Sequence, residues 1–217
     1  MSRLGRIVAA FRSAGARKES ASAEPRSHAR WVVAGLGNPG EQYHWSRHNI
    51  GFLVVEHMAD SRGARFHRRK FKGLLAEVRV DGQETLLVKP QTYYNLSGDC
   101  LAAVLGYYKI PPERLIVVHD DLDLNFGQLR LKRGGSDAGN RGVRSIAASL
   151  DTPEFIRVRV GIGHQARDED AKDYVLHVVR GRQRQEYEAV IARAAEAVEA
   201  IIATGLERAM NTYNQRA

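Results

Sequence analysis

His48 and Asp120 are the residues whose types and settings could do chemistry together. His48 follows a polar loop and precedes an apolar helical run (Ile50, Val54, Val55, Met58), so it lies at a predicted helix N-terminus. The helix dipole disfavours a positive charge there, which favours the neutral imidazole that can accept a proton. Asp120 lies just beyond four consecutive apolar residues, Leu115 to Val118, and is the best-placed carboxylate to fix the tautomer of His48. No companion serine or cysteine nucleophile stands with the pair. The chemistry it suggests is therefore activation of water rather than covalent catalysis. Taken alone, a loop histidine is more often a solvated surface residue.

Asn38 and Asn95 lie in loops that follow strand-like runs. An amide carries both a donor and an acceptor, so two of them can hold a peptide group or a water by both ends. Ordinary turn chemistry is the competing use. Tyr43, Tyr93 and Tyr94 could stack on a base or serve as partly buried packing residues. Basic residues gather at Arg130, Lys132, Arg133, Arg141 and Arg144, and again at Arg157 and Arg159. On one face they could track a phosphate backbone; a merely solvated face is the alternative. The segment Gly35-Leu36-Gly37-Asn38-Pro39-Gly40 satisfies G-x-G-x-x-G. A dinucleotide site is nevertheless disfavoured. Pro39 interrupts the helix start that would hold the pyrophosphate, and Asp60 falls inside a helix rather than at the end of a second strand.

The elements that must position these groups alternate along the chain. Trp31 to Ala34 reads as a buried strand opening into a Gly/Asn/Pro loop, followed by a helix over Asn49 to Arg62. Leu74 to Val80 and Thr85 to Val88 read as strands joined by the Asp81-Gly82 turn. QTYYNLSG reads as a loop, Leu101 to Tyr108 as a helix, and Leu115 to Val118 as a strand buried on both faces. Gln128 to Lys132 is a short strand, RGGSDAGNRG a glycine-rich loop, Val143 to Leu150 a helix and Phe155 to Ile162 a strand. The apolar spacing Val190, Ala194, Ala197, Val198, Ile201, Ile202 predicts a long amphipathic helix. The expected fold is a single α/β domain over residues 31–217, with a mixed twisted sheet flanked by helices.

The 217 residues suit one domain with a real core. With 33 Lys and Arg against 25 Asp and Glu, the net charge is +8, which fits either a solubilising excess or a polyanionic partner such as nucleic acid. Cys100 is the single cysteine, so no disulfide framework and no cysteine-based zinc cluster is available. No apolar run approaches the roughly 18 residues of a membrane span, and a cytoplasmic location is the default. Residues 1–30 are rich in Arg, Ser and Ala and hold no acid before Glu19. They read as a disordered basic arm, as an organelle-targeting peptide, or as the product of a start codon placed too early; the arm is favoured.

Together these stretches resemble the bacterial-type peptidyl-tRNA hydrolase family. The matching pieces are VVAGLGNPGEQYHWSRHNIG, KPQTYYNLSG, VVHDDLDLNFGQLRLKRGG and FIRVRVGIG, in the family's order and at its spacing over about residues 31–207. The resemblance implies hydrolysis of the ester joining a nascent peptide to the terminal ribose of tRNA, without metal or organic cofactor. It implies His48 as catalytic base and Asp120 as its supporting carboxylate. Asn38 matches the residue that separates blocked from free aminoacyl groups, and Tyr43, Tyr93 and Asn95 match substrate-contacting positions. Lys132, Arg144 and Arg159 fall at positions associated with the tRNA acceptor arm, with Arg130 beside them. A monomer is expected, with the ribosome a further partner through the basic arm.

Two departures stand out. The family usually has Gly-His-Asn-Gly where this chain has Gly139-Asn140-Arg141-Gly142, so Arg141 occupies the place of an asparagine that helps hold water and substrate. Arginine donates but cannot accept; it could still stabilise an oxyanion or a phosphate, and Asn140 could swing in as the substitute. Tyr94 stands where methionine is usual. Two rival readings follow: a non-catalytic RNA-binding relative, like the organellar splicing factor that shares this fold, and a specialised hydrolase of stalled-ribosome peptidyl-tRNA.

Overall fold

The apolar run before the first glycine becomes β1 (Trp31–Gly35), all five residues buried, in the computed structural model, which describes residues 30–164 and 170–215. Burial on both faces is what a strand between two helical layers requires. On one side β1 runs parallel to β4 (Gln83–Pro90), and on the other parallel to β5 (Leu115–Asp121). β5 is in turn parallel to β7 (Ile156–Gly161). Antiparallel strands finish both ends: β2 (Arg68–Lys70) and β3 (Gly73–Val80) beyond β4, and β6 (Leu129–Arg133) beyond β7. Among the described residues the mixed sheet has seven strands in the order β2-β3-β4-β1-β5-β7-β6.

The helices are α1 (Ile50–Asp60), α2 (Ser97–Tyr108), α3 (Arg141–Leu150), α4 (Ala171–Leu176), α5 (Gly181–Thr204) and α6 (Leu206–Tyr213). Strand alternation divides the core between two layers. Val33, Ile116, Val118 and Val158 face α1 and α5, where they meet Val54, Met58 and Val198. Val32, Ala34 and Val117 face α2 and α3, where they meet Leu101, Val104 and Ile146. No helix among the described residues is long and apolar enough to cross a membrane.

Several boundaries differ from the sequence-based expectation for identifiable reasons. The segment QTYYNLSG is not all loop: a 3-10 turn over Tyr94–Leu96 leads straight into α2 at Ser97. β5 runs on through His119, Asp120 and Asp121, three polar residues that are buried with it. β2 escapes the pattern because its hairpin turn is Phe71-Lys72, both at positive φ (56° and 54°), without the Gly or Asn that marks such turns. The β3–β4 turn does carry its mark, Asp81-Gly82, at φ 47° and 73°.

One close approach seats the helix that follows His48. A Cβ on Gly51 would lie 2.4 Å from both Leu36 N and Val118 O, so the first turn of α1 rests on the ends of β1 and β5 with no room for a side chain. Gly51→Ala is therefore expected to cost about 1–3 kcal/mol or more through forced backbone shift, read as a lower urea midpoint. Gly106→Ala on α2, where a Cβ meets nothing within 4 Å, is the control and should cost nothing.

Candidate active site

Asp120 arrives at the C-terminal end of β5, where side chains of an open α/β sheet reach the ligand-binding rim. His48 arrives from the other direction, on a 3-10 turn over Arg47–Asn49 that feeds α1. That turn is braced from two sides. Leu36 N donates to Val118 O (2.9 Å) and Phe52 N to Leu36 O (3.2 Å), while Arg47 N donates to His177 O (3.2 Å) and Val179 N to Trp45 O (2.9 Å). The segment after α4 thus pairs with the residues just before His48.

His48 Nδ1 lies 2.8 Å from Asp120 Oδ2. An ionised carboxylate only accepts, so Nδ1 carries the proton and the neutral ring keeps its lone pair on Nε2. Asp120 is 4 % exposed. Burial alone would raise its pKa, but the His48 charge and hydrogen bond, together with the Tyr94 hydrogen bond, outweigh that and hold it below the usual carboxylate value. Tyr94 OH donates to Asp120 Oδ1 (2.7 Å), and its ring stacks on the His48 imidazole with centroids 3.6 Å apart and planes 13° apart. Burial, then the Asp120 charge, pushes the Tyr94 phenol well above its ordinary value, so it stays a neutral donor. The neighbouring His119 is a different kind of histidine. It is buried, its Nδ1 lies 2.8 Å from Asp120 O, and burial lowers its pKa; it does not line the cleft.

His48 and Asp120 lie in a cleft of about 730 Å³ that also takes in Asn38, Tyr93, Asn95, Asn140 and Arg141. Residues from five separate stretches of sequence meet there, the fifth being α4 with Asp170 before it. Asn38 is held by Asn49, which sequence reasoning missed: Asn38 N donates to Asn49 Oδ1 (2.8 Å) and Asn49 Nδ2 to Asn38 O (3.0 Å). Asn38 Oδ1 accepts from Tyr94 N (3.0 Å), which leaves its Nδ2 donor as the group free for a ligand. The signal for Asn49 was its place directly after His48 at a helix start, where Asn commonly satisfies backbone groups. Tyr93 and Tyr94 point apart, Tyr93 67 % and Tyr94 5 % exposed. Asn140 caps α3: its Oδ1 accepts from Val143 N (3.0 Å) and its Nδ2 donates to Tyr94 OH (2.9 Å). Both ends of that amide are thus engaged within the fold, and Arg141 is the residue exposed at the cleft.

The other candidates lie outside the cleft lining. Tyr43 ends a 3-10 turn in the loop before His48. Arg130 and Lys132 pair across the β6–β7 ladder with Arg159 and Arg157, which puts four cations on one face of the sheet edge. Two of them already have partners. Arg159 is paired with Asp121, and Arg157, buried, donates to Ser136 O (2.8 Å) and Gly135 O (2.9 Å). Burial, with Arg157 and Arg159 alongside, lowers the Lys132 ammonium pKa. Arg144, on α3, is exposed and doubly bonded to Asp137 at 3.0 and 3.1 Å. Among the described residues no cluster of three or more His, Cys, Asp or Glu side chains could hold a metal ion.

Comparison with known proteins gives the same answer from sequence and from fold. The family model described as peptidyl-tRNA hydrolase matches residues 32–217. The chain is 45 % identical over 190 residues to a peptidyl-tRNA hydrolase of Frankia casuarinae, covering 88 % of this chain and 96 % of that one. It is 48 % identical over 185 residues to one from Chloroflexus aggregans, covering 85 % and 98 %. The crystal structure of peptidyl-tRNA hydrolase from Acinetobacter baumannii superimposes with a TM-score of 0.79 at 35 % identity, covering 86 % of this chain and 95 % of that one.

Proposed function

The chain belongs to the peptidyl-tRNA hydrolase family, and on that premise we propose how its residues hydrolyse peptidyl-tRNA. His48 Nε2 takes a proton from a water molecule as the water oxygen bonds to the ester carbonyl carbon. Asp120 holds the imidazole in the required tautomer and stabilises the imidazolium that forms. When the tetrahedral intermediate collapses, the carbon–oxygen bond to the terminal ribose breaks and the ribose oxygen takes the proton back from His48. A peptide acid and free tRNA result. The observation that carries this reading is the 2.8 Å contact between His48 Nδ1 and Asp120, set in a cleft.

Asn38 supplies the substrate preference. Its free Nδ2 suits the acyl carbonyl of a blocked amino group, whereas the ammonium of a free aminoacyl ester would meet a donor with a donor. Tyr93 and Asn95 border the same cleft, and Arg141 supplies only donors there, suited to the developing oxyanion or a phosphate. Tyr43 lies on the approach to His48. The test is release of the acyl group from N-acetyl-aminoacyl-tRNA alongside the unblocked aminoacyl-tRNA. Release from the blocked ester only is expected; equal release from both would overturn the role given to Asn38.

The tRNA lies along the β6–β7 edge in this proposal. Like charges placed directly opposite on a ladder destabilise it, and with Arg159 and Arg157 internally partnered, Arg130 and Lys132 are the cations left to neutralise phosphate. Arg144 extends this face from α3. Lys132→Ala should raise KM with kcat kept, and flatten the log–log salt dependence of tRNA binding by about 0.7–0.9; an unchanged slope would remove Lys132 from the interface. The enzyme is proposed to act as a cytoplasmic monomer, residues 31–217 forming the hydrolase domain and residues 1–30 a basic arm toward the ribosome. That arm lies outside the described residues except for Arg30, which pairs with Glu77 and Glu84 of the domain.

A further inference from the structure

Tyr94 and Asn140 are both departures from the family's usual residues, and they touch. Asn140 Nδ2 and Tyr94 OH are 2.9 Å apart, although 46 residues separate them in the chain. The direction of every hydrogen bond in this group is fixed by its neighbours. Asn140 Oδ1 is committed to Val143 N at the start of α3, so the end of the amide that faces Tyr94 must be the NH2 donor. That donor occupies a lone pair of the phenol oxygen. The phenol has a single proton, and the remaining partner, Asp120 Oδ1 at 2.7 Å, is a carboxylate that only accepts. The proton is therefore directed onto Asp120. With His48 on Oδ2 and Tyr94 on Oδ1, both carboxylate oxygens are tied and its plane cannot turn.

Packing fixes the ring as firmly as hydrogen bonds fix the hydroxyl. A Cβ on Gly142 would lie 2.5 Å from Tyr94 Cε1, so the first turn of α3 closes on one side of the phenol. The ring itself covers His48 at 3.6 Å, which shields one face of the imidazole from water. We propose that Tyr94 and Asn140 form a coupled positioning pair, in which the α3 cap aims the phenol and the phenol fixes the Asp120–His48 base. Neither residue exchanges a proton in the reaction. Asn140 acts through Tyr94, the shortest contact of its amide nitrogen, which also lies 3.3 Å from His119 Nδ1 and 3.5 Å from Asp120 O, and Tyr94 acts through Asp120 and His48. The proposal rests on His48 as the base, and adds a third and fourth member behind it. Such bracing matters because Asp120 is the carboxylate in direct contact with His48, and a carboxylate that could turn away would leave Nδ1 without its acceptor, so that nothing would hold the proton off Nε2.

Kinetics of Tyr94→Phe, Asn140→Ser and the double variant test it. Phenylalanine keeps the ring and its stack but removes the donor. Serine keeps a capping oxygen for α3 and is too short to reach the phenol. Tyr94→Phe is expected to lower kcat about tenfold with KM unchanged, since no contact with substrate is lost. Asn140→Ser should lower kcat about threefold in the Tyr94 background and have no further effect on Tyr94→Phe. Melting curves on the same preparations show whether each variant is folded at assay temperature. Effects on kcat that multiply independently would overturn the coupling, as would a Tyr94→Phe rate equal to wild type. An inactive wild type would instead overturn the reading of His48, and this proposal with it. Where wild type is active and His48→Ala abolishes that activity, the outcome bears on Tyr94 and Asn140 alone.

Discussion

Asp120→Asn is expected to lower kcat by about 10²–10⁴ while leaving tRNA binding intact. The size of the loss follows from the direction of the hydrogen bonds around the carboxylate. Tyr94 OH donates to one oxygen of Asp120, and Asn140 leaves that phenol no other place for its proton. The new amide must therefore keep its oxygen toward Tyr94, which turns its NH2 toward His48 Nδ1. Facing a donor, Nδ1 must give up its proton, and the neutral ring carries it on Nε2 instead. The nitrogen that should accept the proton of water is then already protonated. Adding Tyr94→Phe removes the constraint on the amide and lets it flip, so the double variant should recover part of the rate. The check is kcat for both variants at saturating substrate; a loss below about tenfold in Asp120→Asn would show that the carboxylate does not set the tautomer.

His48→Ala should be at least as severe, again about 10²–10⁴ in kcat, because it deletes the one histidine that lines the cleft among the described residues. His119 cannot take over. It is buried, absent from the cleft lining, and directed at the backbone carbonyl of Asp120. KM should change little, because binding is assigned to Asn38, Tyr93, Asn95 and the cations of the β6–β7 edge. A loss confined to kcat is the signature of a group that acts in the transition state.

Much of this arrangement is legible in the sequence, and the limits of that legibility are physical. β1 and β5 are short apolar runs that read as buried strands; β5 ends in His119, Asp120 and Asp121, and β1 opens into the loop that leads to Asn38 and His48. His48 and Asp120 can therefore be paired although 72 residues separate them. The Asp81-Gly82 hairpin announces itself because both residues take positive φ readily; Phe71-Lys72 adopts the same conformation without any such mark. α6 does carry a helical stripe, Leu206, Ala209, Met210 and Tyr213, but it spans only about two turns and follows α5 after Gly205 alone, too short a run to stand out as an element of its own. The roles of Tyr94 and Asn49 depend on which way a side chain turns. Tyr93 and Tyr94 are adjacent and chemically identical, and only the 3-10 turn that sends one into solvent and the other beneath His48 tells them apart. The basic residues show the opposite limit. Their number is plain in the sequence, but that Arg157 and Arg159 are spent on Gly135, Ser136 and Asp121 is a matter of tertiary contacts.

Whether His48 activates water is decided by single-turnover release from N-acetyl-aminoacyl-tRNA by wild type and His48→Ala, with tRNA binding recorded on the same preparations. Rapid release by wild type is expected, with a loss of about 10²–10⁴ in His48→Ala at unchanged affinity. A wild type that binds tRNA without hydrolysing the ester, or a His48→Ala variant that hydrolyses it at the wild-type rate, would contradict the assignment.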